Sequence, residues 1–142
     1  MQPLADDTLE LRPPPGFVVD AVDQAYLFEM LLRGTTVKVG EISLRVDRSD
    51  PALVGYAGHV GYEVALPHRG RRHALRACRL LAPFARGLGF SELWITVSPD
   101  NAASCRTLDL LGARYVDTVR VPVGTQMHVL GLRRMRRYCW TL

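Results

Sequence analysis

Val60-Gly61-Tyr62-Glu63-Val64-Ala65-Leu66-Pro67-His68-Arg69-Gly70-Arg71-Arg72-His73-Ala74 takes the chain from a β-prone run, through a basic turn, into a helix. The strand Gly61–Leu66 cannot run further, because Pro67 lacks an N–H and Gly70 supplies backbone freedom. From His73 the period becomes helical. Ala74, Ala77, Cys78, Leu81, Ala85 and Leu88 share one stripe, and Arg76, Arg79 and Arg86 lie on the other side. Pro83 predicts a kink, and Gly87 and Gly89 a stop. The first-turn amides of such a helix have no intrahelical partner, and the helix dipole is positive there. A strand feeding a helix through a basic turn is therefore a site for phosphate or pyrophosphate.

Upstream, Thr8–Arg12 and Tyr26–Leu32 read as strands, with Pro13-Pro14-Pro15-Gly16 stiff and extended between them. Met1–Asp7 is polar and expected to fray, and Phe17–Gln24 is open between a short helix and coil. Val37–Val46 alternates as a half-buried strand. After the polar loop Asp47–Pro51, Leu53–Leu66 reads as one strand interrupted by Gly55, Gly58 and Gly61. Downstream, Leu93–Val97 is a compact apolar strand, and Ser98-Pro99-Asp100-Asn101 is a turn that can cap the helix Ala102–Leu111. Gly112 ends that helix. Strand Ala113–Val121, loop Val123–Gly131 and a basic last strand Arg133–Leu142 follow. The order predicts an α/β (α+β mixed) fold, with a ligand crevice at the end of the strand that meets the basic turn.

At 142 residues the chain is read as one domain, residues 1–142. An apolar share of 48% against 23% charged excludes a disordered or fibrous chain. The net charge of +4 favours anionic ligands. No secretory signal and no membrane-length apolar run is visible, so a cytoplasmic protein without membrane contact is expected. Cys78, Cys105 and Cys139 are read as free thiols. Without C-x-x-C or zinc-like histidine spacing, no metal is expected.

Strand Gly61–Leu66, turn Arg69-Gly70-Arg71-Arg72-His73-Ala74, strand Leu93–Val97, Pro99-Asp100-Asn101-x-x-Ser104 and Leu111-Gly112 together resemble the GNAT superfamily of acyl-CoA-dependent N-acyltransferases. The likeness runs from about Tyr26 to the C-terminus and is greatest to the bacterial branch holding ribosomal-protein N-terminal acetyltransferases. It implies a central, mostly antiparallel sheet with a parallel strand pair around a CoA crevice, flanked by helices. The family's phosphate turn is Arg/Gln-x-x-Gly-x-Gly/Ala. Arg69 fills its first place and Ala74 its last, while Arg72 stands where the middle glycine would be. Such a side chain must point away or bind phosphate itself. The family's two helices between the first strands have only Pro13–Ala25 to form from, so the N-terminal helical region is short. The acceptor side is then either unusually open or completed by a second subunit, as a homodimer.

The resemblance implies direct attack of a primary amine on acetyl-CoA in a ternary complex. Val64, Ala65 and Leu66, with Arg69, Gly70, Arg71, Arg72, His73 and Ala74, would hold the cofactor, and a strand N–H would receive the oxyanion. Glu63 is the first candidate base, on the expectation that burial raises its pKa; the alternative is an edge glutamate facing solvent or an arginine. His59 is the rival base, nominally on the same strand face as Gly61 and Glu63, or else a packed histidine. The family's thiolate-stabilising tyrosine falls at Leu108, so Ser104 is the candidate donor to the sulfur, or a helix-backbone bond. Asn101 either bonds the pantetheine or caps the helix. Cys105, with no His or Asp placed beside it, is read as packing.

The leading expectation is an N-acetyltransferase acting on a protein N-terminus or a small amine. A GNAT-fold module without catalysis, binding acyl-CoA or lacking it, is the second. Arg133-Arg134-x-Arg136-Arg137 is open between a solvated strand face and an acidic-partner or RNA contact, although no nucleic-acid motif accompanies it.

Overall fold

The computed structural model describes residues 4–16 and 24–142. Apart from Gln24, the helix-or-coil segment Phe17–Gln24 lies outside the described residues. Strands β1 (Leu4–Ala5), β2 (Leu9–Arg12), β3 (Ala25–Leu32), β4 (Lys38–Arg45) and β5 (Val60–Val64) form one antiparallel sheet in that order. Helix α1 (His73–Gly87) leads to β6 (Glu92–Val97), helix α2 (Ala102–Leu111), β7 (Arg114–Arg120), the short helix α3 (Gln126–Val129) and β8 (Arg134–Thr141). The last three strands pair antiparallel in the order β6-β8-β7.

Helix α1 covers the first sheet. Its stripe is turned slightly from the expected one: Leu75, Ala77, Cys78, Leu81, Ala82 and Ala85 are buried, while Ala74 is half-buried. All of the buried ones but Leu75 join Leu9, Leu11, Phe28, Met30, Ile42 and Leu44 in one continuous core. Each large side chain buried in this core, such as Leu81, contributes roughly 1.5–3 kcal/mol, and each of the alanines less. Phe84 meets the rings of Tyr26 and Phe28 edge-on. The helix runs on past an exposed Pro83 to Gly87. Burial pushes the Cys78 thiol up to about 12, which makes it an inert packing group.

Three expectations are corrected. The start of the chain does not fray from Leu4 onward, because β1 pairs with β2 and Asp6 accepts the N–H groups of Thr8 and Leu9. Leu53–Leu66 is not one strand. Leu53–Ala57 is a turn of π-helix, β5 is Val60–Val64, and Leu66–His68 is a 3-10 turn. Gly58 makes the break at φ +77, where a Cβ would lie 3.0 Å from the Thr96 nitrogen. Finally, the loop Val123–Gly131 contains α3, whose first turn is capped by Thr125 Oγ1 accepting the His128 N–H.

The two sheets meet at one joint. The His59 N–H donates to the Trp94 carbonyl at 2.7 Å, and the Trp94 N–H donates back to His59 Nδ1 at 2.8 Å. The carbonyl of His59 accepts from Arg45 instead of from β6, so no ladder continues. Helix α1 carries the chain from β5 to β6, and the two strands, which belong to different sheets, come into contact at this joint. Arg137 braces the second sheet against the π-helical turn. Its guanidinium grips Asp117 at 2.6 and 2.7 Å, donates to the Val54 carbonyl and lies 5.0 Å over the Trp94 ring.

Candidate active site

The opening beside β5 is divided into two cavities. A groove of about 430 Å³ runs along β5, the basic turn, the start of α1 and one face of α2. A cavity of about 970 Å³ lies on the other side, walled by Ser43–Asp50, the π-helical turn, the end of β6 and the β7–β8 connection. They share Tyr62, Asn101 and Ser104.

The groove is built for an anion. The N-terminus of α1 has no side-chain cap, and its cap residue Arg72 has φ 61 and ψ 26. Arg72 thus adopts the left-handed backbone that the family's glycine would take without strain. The first amides of α1 are left for a ligand. His73, at the first helical position, is buried, and its Nδ1 has no partner among the described residues. Burial, with His68, Arg71 and Arg76 nearby, holds its pKa below the usual histidine value. Arg69, Arg72 and Arg106 line the groove, and Glu63 is the one carboxylate there.

The β4–β5 register supplies backbone donors. Arg45 N–H bonds the His59 carbonyl, and Ala65 N–H bonds the Val39 carbonyl. The intervening parity turns the polar backbone groups of Tyr62 and Val64 away from β4, toward the gap. The Val64 carbonyl is taken by Arg69 Nε at 2.8 Å, and its N–H is left facing the groove.

Val64, Arg69, Gly70, Arg72, His73, Ala74, Asn101 and Ser104 are thus brought to one groove. Ala65, Leu66 and Arg71 are not part of its wall. The Ala65 N–H is consumed by β4, the Leu66 side chain is 73% exposed in the 3-10 turn, and Arg71 faces solvent.

Each candidate base takes the alternative place that the sequence left open for it. Glu63 is exposed, not buried, and stands across from Glu41. His59 is buried but lines neither cavity. Its Nδ1 is occupied by Trp94, its ring meets Phe90 edge-on, and burial, followed by Arg48 and Arg45, lowers its pKa. Asn101 caps α2, with Oδ1 accepting the Ser104 N–H at 3.1 Å. No hydrogen bond ties the Ser104 hydroxyl to the helix backbone among the described residues, unlike Thr107, which donates to the Ala103 carbonyl. Leu108 is fully buried, so that helix position faces the core and not the gap.

Tyr62 is the residue that sequence reading passed over. Its hydroxyl is buried at the wall between the cavities, beside Ser104 and Thr107, and makes no well-formed hydrogen bond. Burial pushes its pKa up to about 12. A phenol held protonated there is a hydrogen-bond donor whose nearest partners are the Ser104 and Thr107 hydroxyls. Strand alternation alone would have set Tyr62 opposite Glu63, on the face turned to the helices.

Residues 7–114 match the family described as an acetyltransferase (GNAT) domain. No curated protein matches the chain. Among solved structures, a candidate ribosomal-protein-serine acetyltransferase from Vibrio cholerae superposes with a TM-score of 0.70 at 14% identity, over 99% of this chain and 98% of that one. The ribosomal-protein-S5-alanine acetyltransferase of Vibrio fischeri gives 0.64 at 17%, over 84% and 63%. A candidate acetyltransferase from Salmonella typhimurium, with its cofactor acetyl-CoA, gives 0.62 at 20%, over 85% and 66%. At these identities the likeness is one of fold.

Proposed function

The chain belongs to the GNAT acetyltransferase family, and on that premise we propose that it moves an acetyl group from acetyl-CoA to a primary amine by direct attack. The observation that carries the reading is the meeting of an anion-binding groove and a larger cavity at Tyr62, Asn101 and Ser104. A cofactor in the groove would present its reactive end where an acceptor in the cavity arrives.

Acetyl-CoA, when bound, supplies an activated acetyl thioester. The α1 amides, His73, Arg69 and the Arg72 side chain would hold its phosphates. The Val64 N–H is the donor available to a developing oxyanion. Tyr62 and Ser104 would be the donors to the leaving sulfur, the role that Leu108 cannot fill. With its high pKa, Tyr62 stabilises the thiolate without giving up its proton. Glu63 borders only the groove and His59 is locked in the joint, so neither meets the amine, and its proton would leave through water in the open cavity, whose wall carries Asp47 and Asp50. The setting we propose is cytoplasmic.

Calorimetric titration of acetyl-CoA, followed by thiol release with an amine panel, tests the reading. Micromolar binding with turnover supports it. No binding at millimolar cofactor would overturn it in favour of a GNAT-fold module without catalysis.

A further inference from the structure

A third cavity, of about 570 Å³, adjoins the acceptor cavity and shares Ser98 and Leu132 with it. Arg133, Arg134 and Arg136 line it, with Asp100 as its one carboxylate. On the same sheet, Arg120 stands directly across from Arg134. Like charges placed opposite one another destabilise a strand pair unless something neutralises them. Among the described residues, none of these four arginines makes an ion pair, whereas Arg137, adjacent in sequence, is gripped by Asp117.

The pocket is also stiffened. The Arg136 guanidinium lies 4.3 Å over the Tyr115 ring, and its Nε donates to Tyr138 Oη at 3.0 Å. Arg133 donates to the His128 carbonyl at 2.6 Å. Arg136 therefore keeps its two terminal nitrogens on offer in a fixed plane, the geometry that recognises a carboxylate by two hydrogen bonds. Arg134 is exposed and makes no side-chain hydrogen bond among the described residues.

We propose that this arginine pocket is a second acceptor subsite, binding acidic side chains just downstream of the amino group that lies in the large cavity. The inference rests on the acetyl transfer proposed above and deepens it: the acceptor is the N-terminus of an acidic polypeptide segment. A small amine would end in the large cavity. An extended polypeptide advances about 3.3 Å per residue, so one passing Ser98 and Leu132 reaches the arginines within a few residues.

The experiment incubates the full chain and acetyl-CoA with peptides bearing a free N-terminus and randomised over their first residues, and reads the acetylated pool by mass spectrometry. The expected result is enrichment of Asp and Glu in the positions after the first by about threefold or more, matching roughly the weakest useful charge contact. Arg134→Glu should abolish the enrichment. An acetylated pool without acidic preference, or a preference unchanged in Arg134→Glu, overturns the proposal. Turnover of small amines with no peptide acetylated overturns it while acetyl transfer stands. Failure of acetyl-CoA to bind overturns both. RNA binding lost in Arg134→Glu, without acidic enrichment, reassigns the pocket to phosphate and overturns it too.

Discussion

The cofactor groove and the acceptor cavity share a wall but are built in opposite ways. The groove comes almost wholly from two contiguous stretches, Tyr62–Leu75 and Asn101–Leu110. The acceptor cavity gathers short pieces from Ala25 to Met135. A site made by one strand–turn–helix unit carries its geometry in local backbone rules. A site made by distant pieces inherits its shape from packing across the molecule.

The largest expected effect lies where the two meet. Tyr62→Phe should lower kcat about 100-fold, the usual loss for one preorganised donor, while acetyl-CoA affinity changes less than about twofold. Because the Tyr62 pKa is pushed up to about 12, the wild-type rate should show no alkaline limb from this phenol. Steady-state kinetics beside calorimetry would separate the effects, and a kcat within threefold of wild type would remove Tyr62 from the chemistry.

A charge reversal confined to the groove should spare the other side. Arg72→Glu is expected to weaken acetyl-CoA binding by roughly tenfold or more, the worth of one charge-assisted contact, with the acceptor KM unmoved. An unchanged Kd would mean that the Arg72 side chain points away from the phosphates.

The joint behind both cavities gives a smaller, pH-dependent effect. Folding lowers the His59 pKa through burial and the nearby Arg48 and Arg45, against a weaker opposing pull from Glu92. The neutral ring is needed for Nδ1 to accept the Trp94 N–H. This contribution is full above the unfolded value of about 6.5 and is lost as pH falls through the lowered folded value. His73 shifts the same way and adds to the slope. Denaturant midpoints measured down to about pH 5 should fall, and His59→Asn should flatten the curve. An unaltered slope would argue against the joint as its source.

Arg72→Gly should give the smallest change, and an opposed one. Relieving a left-handed non-glycine residue gains about 1–2 kcal/mol, and glycine's extra unfolded entropy returns about 0.5–1 kcal/mol. A net gain near 0.5–1 kcal/mol in chemical unfolding, together with weaker acetyl-CoA binding, would show that strain is kept there for a phosphate contact.

The parts read correctly from sequence are those whose signal is local. Arg69 to Ala74 announced a turn before a helix through Pro67, Gly70 and the change of period, and all but Arg71 of that run line the groove. Glu63 stayed open between a buried and an exposed reading because strand alternation tells which residues share a face, not whether that face is covered; the exposed reading holds. For His59 the packed reading holds, because a place on the Glu63 face needed a strand continuing through Leu53–Leu66. Gly58 breaks that strand against Thr96, a residue far away in sequence. The arginines of β8 show the same limit. Only the register with β7 separates Arg137, paired to Asp117, from Arg134, set against Arg120.

By itself the sequence determined the mixed α/β order, the basic turn before α1, the capped start of α2 and hence most of the wall of the groove, because hydrophobic period, caps and turn residues act over a few positions. Only the tertiary structure decided which hydroxyl stands between the cavities, which histidine is a joint and which arginines are left without partners. Those properties depend on residues from distant segments meeting, and on whether a given polar atom finds a partner once water is excluded.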